Sequence, residues 1–198
     1  AAAGGKPPVV IPCDLVQPEA GNRIAEVLAA AGLEVEYVVN NAGYGLFGRA
    51  VQRDRADQLD MITVNIRVLT ELSLRFSDQL IRNKGGLLNV GSIAGFMPGP
   101  GMAVYYATKA YVLSFTEAMR AELAPHGVTA NGISPAYVKT PMVTEQLTEA
   151  QRQALLAQVP VGRFCEPEEF AHVVRFLAHP LAGFITGEIV DVNGGLHM

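Results

Sequence analysis

The stretch Ser92-Ile93-Ala94-Gly95-Phe96-Met97-Pro98-Gly99-Pro100-Gly101-Met102-Ala103-Val104-Tyr105-Tyr106-Ala107-Thr108-Lys109 decides the reading of this sequence. It joins a strand to a helix and carries a hydroxyl, a phenol and an ammonium on the way. Before it, Leu87-Leu88-Asn89-Val90 is a short apolar run bounded by glycines, the pattern of a buried strand. After it, Ala110 to Leu123 has helical length and no proline. Ser92 therefore falls at the carboxyl end of a strand and Tyr105 at the start of a helix. Tyr105 and Lys109, four residues apart, share one helical face. A free phenol has a pKa of about 10, and a neighbouring ammonium lowers it. The pair is thus a candidate for acid–base chemistry, although Tyr-x-x-x-Lys by itself is equally an aromatic residue and a solvated lysine at a helix start. Tyr106 is also within a turn of Lys109, so periodicity alone does not choose between the two tyrosines.

The 198 residues, 49% hydrophobic and 17% charged, suit one well-cored domain spanning 1–198. A net charge of −4 and scattered basic residues argue against a nucleic-acid partner. Cys13 and Cys165 lie far apart, and His126, His172, His179 and His197 form no paired motif, so no metal site is expected and a reducing cytoplasm suits the thiols. The longest charge-free run, Gly85 to Thr108, is broken by glycines and prolines, which excludes a membrane helix there; no signal peptide opens the chain.

Taken in order, Ala1-Ala2-Ala3-Gly4-Gly5 reads as the last turn of a helix with its glycine stop. Val9-Val10-Ile11-Pro12-Cys13 reads as a strand ending at Asp14, Glu19 to Ala31 as an amphipathic helix, and Glu36-Tyr37-Val38-Val39 as the next strand, closing on Asn40-Asn41-Ala42-Gly43. Asp54 to Arg82 is a long helical stretch apolar on nearly every face, which predicts cover on both sides and, with Ala110 to Leu123, a symmetric oligomer. Val128 to Ile133 is a further strand; helices over about Glu145–Gln158 and Pro167–Ala178 and a final strand within Gly187–Gly195 complete the chain. The alternation predicts an α/β, doubly wound, Rossmann-like parallel sheet, with ligands outside the carboxyl ends of its strands.

Asn40-Asn41-Ala42-Gly43, Asn65, Ser92, Tyr105 with Lys109, and Ser134-Pro135-Ala136-Tyr137-Val138-Lys139-Thr140-Pro141 follow one another in this order. Together they resemble the short-chain dehydrogenase/reductase family over the whole chain. The resemblance selects Tyr105, thirteen residues after Ser92, as the reactive tyrosine. It implies an NAD- or NADP-dependent oxidoreductase that interconverts a ketone, such as a 3-oxoacyl thioester, and a secondary alcohol. Tyr105 would be the general acid and base, Lys109 would lower its pKa and hold the nicotinamide ribose, Ser92 would orient the carbonyl, and Asn65 would hold a water in a proton relay. Asn40, Ala42 and Gly43 would line the cofactor, with Asp14 at the adenine and Pro135, Val138 and Thr140 near the carboxamide and phosphates. Phe96, Met97, Met102, Tyr137 and Met142 would make the substrate pocket apolar. A homodimer or homotetramer in the cytoplasm is implied as well. Each residue has a plain reading too: Asn40 to Gly43 a turn, Asp14 a helix cap, Asn65 a polar interruption, Ser92 a loop hydroxyl.

Two departures stand out. The family's glycine-rich turn is absent, so a strand, helix, strand and helix of roughly 50 residues are expected ahead of Ala1. Ala136 also replaces the usual glycine after Pro135. The choice of NAD or NADP is set at the end of the second strand, within that expected segment. Two other functions fit part of the pattern: an extended-group epimerase or dehydratase sharing Tyr-x-x-x-Lys, and a truncated, non-catalytic scaffold.

Overall fold

The computed structural model describes residues 8–197. The helix end expected at Ala1 to Gly5 lies outside them. Four parallel strands, β1 (Tyr37–Asn40), β2 (Gly86–Val90), β3 (Thr129–Pro135) and β4 (Ile189–Val192), form one sheet in the order β1-β2-β3-β4. Its register pairs Val38 with Leu87, Leu87 with Ala130, and Ile133 with Val190. Helix α1 (Ala20–Ala30) precedes β1; α2 (Arg55–Ile62), α3 (Leu69–Arg75) and α4 (Ser77–Asn83) connect β1 to β2. A single helix, α5 (Ala103–Leu123), connects β2 to β3, and α6 (Pro141–Thr144), α7 (Glu149–Leu156) and α8 (Pro167–Leu177) lead to β4.

Because side chains alternate along a strand, β2 feeds two cores. Leu87 joins Val38, Phe76, Leu80, Met119, Leu123 and Val128 beneath α1, α4 and α5, whereas Leu88 joins Ile133 and Leu177 beneath α8. Helices therefore cover both faces of a parallel sheet, the expected architecture. Its four strands stand in plain chain order, so the described residues contain no reversal of strand order.

Three sequence expectations change. Val9 to Cys13 forms no strand, and Val10 is 78% exposed. Strand structure needs a ladder partner; Pro8 and Pro12 lack N–H donors, and no other described strand lies beside this segment. The expected Asp54–Arg82 helix starts as read, with Asp54 capping the amides of Ala56 and Asp57, but a π-helical turn over Thr63–Val68 and a break at Phe76 divide it. The expected Glu145–Gln158 helix is also shorter, since a capping box between Thr148 and Gln151 starts α7.

Between these layers lies a buried polar chain. Asn40 Nδ2 donates to Asn89 Oδ1 (2.8 Å) and Ser73 Oγ (2.9 Å), and Asn89 Nδ2 donates to Thr116 Oγ1 (2.9 Å). Each hydroxyl in turn donates to a carbonyl of its own helix, Leu69 or Val112. The ends of β1 and β2 are thus tied to α3 and α5, the helices that follow Asn65 and carry Lys109.

Candidate active site

Asn41, Ser92 and Ala136 follow the carboxyl ends of β1, β2 and β3, where parallel strands leave their loops free to build a site. A cleft of about 810 Å³ opens there, with Gly43, Ser92, Tyr105, Lys109, Pro135, Val138 and Thr140 in its wall. Met102, Tyr137 and Met142 line it as expected, but Phe96 and Met97 do not; Phe96 stacks on His197 instead, with ring centroids 4.9 Å apart.

Tyr105 and Lys109 project from the first turns of α5 into this cleft. The Lys109 ammonium lies 5.9 Å from the Tyr105 ring centroid and donates to the Val90 carbonyl (2.8 Å). Burial pushes the Tyr105 phenol above its ordinary pKa; a hydrogen bond with Ser92 pulls the other way, and Tyr106 adds to the rise. Burial also lowers the Lys109 ammonium, to about 8, so at neutral pH it still carries its charge beside the phenol. Ser92, at the amino end of the short turn Ile93–Phe96, accepts from the Ala94 amide (3.1 Å). That bond fixes the Ser92 oxygen at the cleft wall.

Asn65, only 1% exposed, sits within the π-helical turn. Its Oδ1 accepts from the Tyr44 amide (3.1 Å), and its Nδ2 donates to the Tyr44 carbonyl (2.9 Å) and Thr108 Oγ1 (3.0 Å). Both amide protons are therefore committed to protein partners, as a clamp between the 41–48 loop and α5. Sequence reasoning missed Tyr44 and Thr108 as its partners. It also missed Gly45, where a Cβ would stand 2.9 Å from Met102 Cε and 3.0 Å from Tyr105 Cδ2. The small residues of Gly43-Tyr44-Gly45-Leu46-Phe47-Gly48 were the only signal that this loop approaches another element closely.

Three residues carried over from the resemblance lie elsewhere. Asn40 points its side chain into the buried polar chain, away from the cleft, since an alternating strand puts it on the helix-covered face. Ala42 is outside the cleft lining. Asp14 is exposed and caps its own turn, accepting from the Val16 amide (3.0 Å) and Gln17 Nε2 (3.0 Å). Among the described residues, no group of three or more His, Cys, Asp and Glu side chains could hold a metal ion, and no helix is long and apolar enough to cross a membrane.

A family model described as enoyl-(acyl carrier protein) reductase matches residues 1–197. The 3-oxoacyl-[acyl-carrier-protein] reductase of Vibrio cholerae is 37% identical over 186 residues, which are 93% of this chain and 76% of that protein. The chain belongs to the short-chain dehydrogenase/reductase family. Solved members superimpose closely. A Beutenbergia cavernae protein assigned as an NAD(P)-dependent gluconate 5-dehydrogenase, with bound NADP, gives a TM-score of 0.85 at 31% identity, covering 93% of this chain and 74% of its own. The 3-ketoacyl-(acyl-carrier-protein) reductase of Brucella melitensis, complexed with NADH, gives 0.83 at 27% identity, covering 94% and 77%. As a short-chain dehydrogenase/reductase, the chain is an NAD(P)-dependent oxidoreductase.

Its residues suit the nicotinamide end of such a cofactor. An ammonium carries three protons, and Lys109 has one protein acceptor among the described residues, so donors remain for the hydroxyls of a ribose. Gly43 has no side chain to block that approach: a Cβ there would lie 3.5 Å from Lys109 Nζ. The phosphate-binding glycine turn is not among the described residues.

The depressed Lys109 also makes stability depend on pH. Below about pH 8 the lysine is charged in folded and unfolded chains alike, and the burial penalty is complete. Between about 8 and the ordinary 10.5, the folded chain has released the proton while the unfolded chain keeps it, so this group's contribution rises with pH. In urea unfolding across that window, the wild type should gain on Lys109→Met by on the order of 3 kcal/mol. A difference that stays constant with pH would refute the burial of this charge.

Proposed function

We propose that this chain reduces the 3-oxo group of an acyl thioester to a secondary alcohol, with Tyr105 as the general acid. The observation that carries the reading is the Tyr105 phenol, held in its protonated form by burial in the cleft that Ser92 and Lys109 also line. Ser92 orients the carbonyl, and Tyr105 gives its proton to the carbonyl oxygen as charge develops there. Lys109 supplies the positive charge that favours the phenolate left behind. The nicotinamide, when bound, supplies the hydride. Gly43, Pro135, Val138 and Thr140, all in the cleft wall, line the bound cofactor.

The acyl thioester is favoured by the lining. Met102, Met142, Val143, Leu147 and Leu155 are apolar, and among the described residues Lys109 is the one charged side chain in the wall. A sugar acid or amino acid would find no guanidinium for its carboxylate, whereas an uncharged acyl chain meets matching surface. The test is the loss of reduced-nicotinamide absorbance with a 3-oxoacyl thioester, offered with NADH and with NADPH. Absence of turnover with both would refute the reading.

We also infer pairing with a second copy through α5 and the helices beside it. The outward residues of α5 are not the large apolar groups expected: beside the charged Glu117, Arg120 and Glu122 runs a row of Ala107, Ala110, Ser114, Ala118 and Ala121, while Leu74 of α3 is 54% exposed. Small side chains allow close helix contact. Scattering at micromolar concentration should give a mass of at least two chains; a monodisperse monomer would remove the inference.

A further inference from the structure

Two aromatic side chains in the cleft have no part in the chemistry above. Tyr106 follows the reactive tyrosine on α5, and its ring meets that of Tyr105 edge-on, with centroids 6.1 Å apart and planes at 77°. Tyr137 approaches from the loop after β3, edge-on to Phe164 at 6.0 Å. Both line the cleft. Tyr106 is held in place by Gly99, where a Cβ would come within 2.2 Å of its ring. Neither hydroxyl has a hydrogen-bond partner among the described residues. Burial and the nearby Tyr106 raise the pKa of Tyr137, which keeps its phenol a donor.

We propose that the Tyr106 and Tyr137 hydroxyls form a subsite for the second oxygen of the substrate, the thioester carbonyl of a 3-oxoacyl compound. This rests on the ketone-reductase reading. In such a compound the two carbonyl carbons are separated by a single methylene. With the reacting oxygen on Tyr105, the second would lie close by, in the same cleft that Tyr106, packed against Tyr105, and Tyr137 also line. A phenol is a neutral donor suited to an uncharged carbonyl, and no guanidinium lines the cleft to attract a carboxylate instead. A lone ketone has nothing to offer these hydroxyls, so the pair would select for the dicarbonyl.

Calorimetric titration can test this with a 3-oxoacyl thioester of N-acetylcysteamine and with the matching methyl ketone, on wild type, Tyr106→Phe and Tyr137→Phe. Phenylalanine keeps each ring and its packing. The ratio of the two affinities, thioester over methyl ketone, should fall about five- to tenfold in each variant, the size of one neutral hydrogen bond. An unchanged ratio, or a wild type that binds neither probe, overturns the subsite. Reduction of the 3-oxoacyl thioester by the wild type is scored separately. Reduction with an unchanged ratio sinks the subsite alone, whereas a lowered ratio without reduction supports the subsite and sinks the reductase reading.

Discussion

Tyr105→Phe lowers turnover of a 3-oxoacyl thioester by at least about a hundredfold, the usual scale of losing a general acid. The substitution removes one oxygen and keeps the ring that fills the space left by Gly45, so folding should be unaffected and thermal melting should match the wild type. The effect is large because two other phenols of the wall, Tyr106 and Tyr137, are proposed to hold the second carbonyl, and the non-phenolic groups are poor acids. Lys109 is already bonded to the Val90 carbonyl, Ser92 is an alcohol, and no carboxylic acid or imidazole lines the wall. Tyr106→Phe is the control for position. It leaves the acid in place and should lose no more than about tenfold, the cost of one substrate hydrogen bond. An inactive Tyr106→Phe beside an active Tyr105→Phe would reverse the assignment, since periodicity permits either tyrosine and only the spacing from Ser92 and the burial of Tyr105 separate them.

Asn65→Ala lowers stability by about 3 kcal/mol and takes activity down with it. The change strips partners from the Tyr44 amide, the Tyr44 carbonyl and the Thr108 hydroxyl together, at a site with almost no access to water. For a chain of this size the melting temperature should fall by roughly 6–12 °C. Activity falls because the loop from Asn41 to Gly48 is one wall of the cleft and Asn65 fastens it to α5. This outcome differs from that of a water-holding Asn65, for which turnover would drop while melting stayed at the wild-type value. Thermal melting and turnover measured on the same preparation separate the two.

Much of the site was legible because its chemistry is local. Tyr105 and Lys109 meet through helical spacing, Ser92 ends a run of apolar residues, and the Pro135 loop follows another. All four reach the cleft because parallel strands release their loops on one side. The carried-over roles fared less evenly. Gly43, Pro135, Val138 and Thr140 line the cleft, but Asn40 and Ala42 do not, since a motif marks a stretch of chain without saying which of its side chains turns outward.

The amino-acid sequence by itself determined the alternation of strand and helix, the parallel sheet and the placing of Tyr105 and Lys109 on one helical face, because each follows from apolar periodicity or from spacing within one element. Only the tertiary structure decided the rest. Val9 to Cys13 has the composition of a strand, yet strand structure exists only with a neighbour to bond. The desolvation of Tyr105 and Lys109 is likewise a product of packing: burial raises the phenol and lowers the ammonium, opposing the charged form of each. Asn40, Asn65 and Asn89 are alike as polar residues in apolar surroundings. Their hydrogen bonds run to Ser73, Tyr44, Thr108 and Thr116, from 21 to 43 positions away along the chain. No local pattern encodes such partners, because a buried amide is satisfied by whatever the packing of the sheet and helices brings within about 3 Å of it.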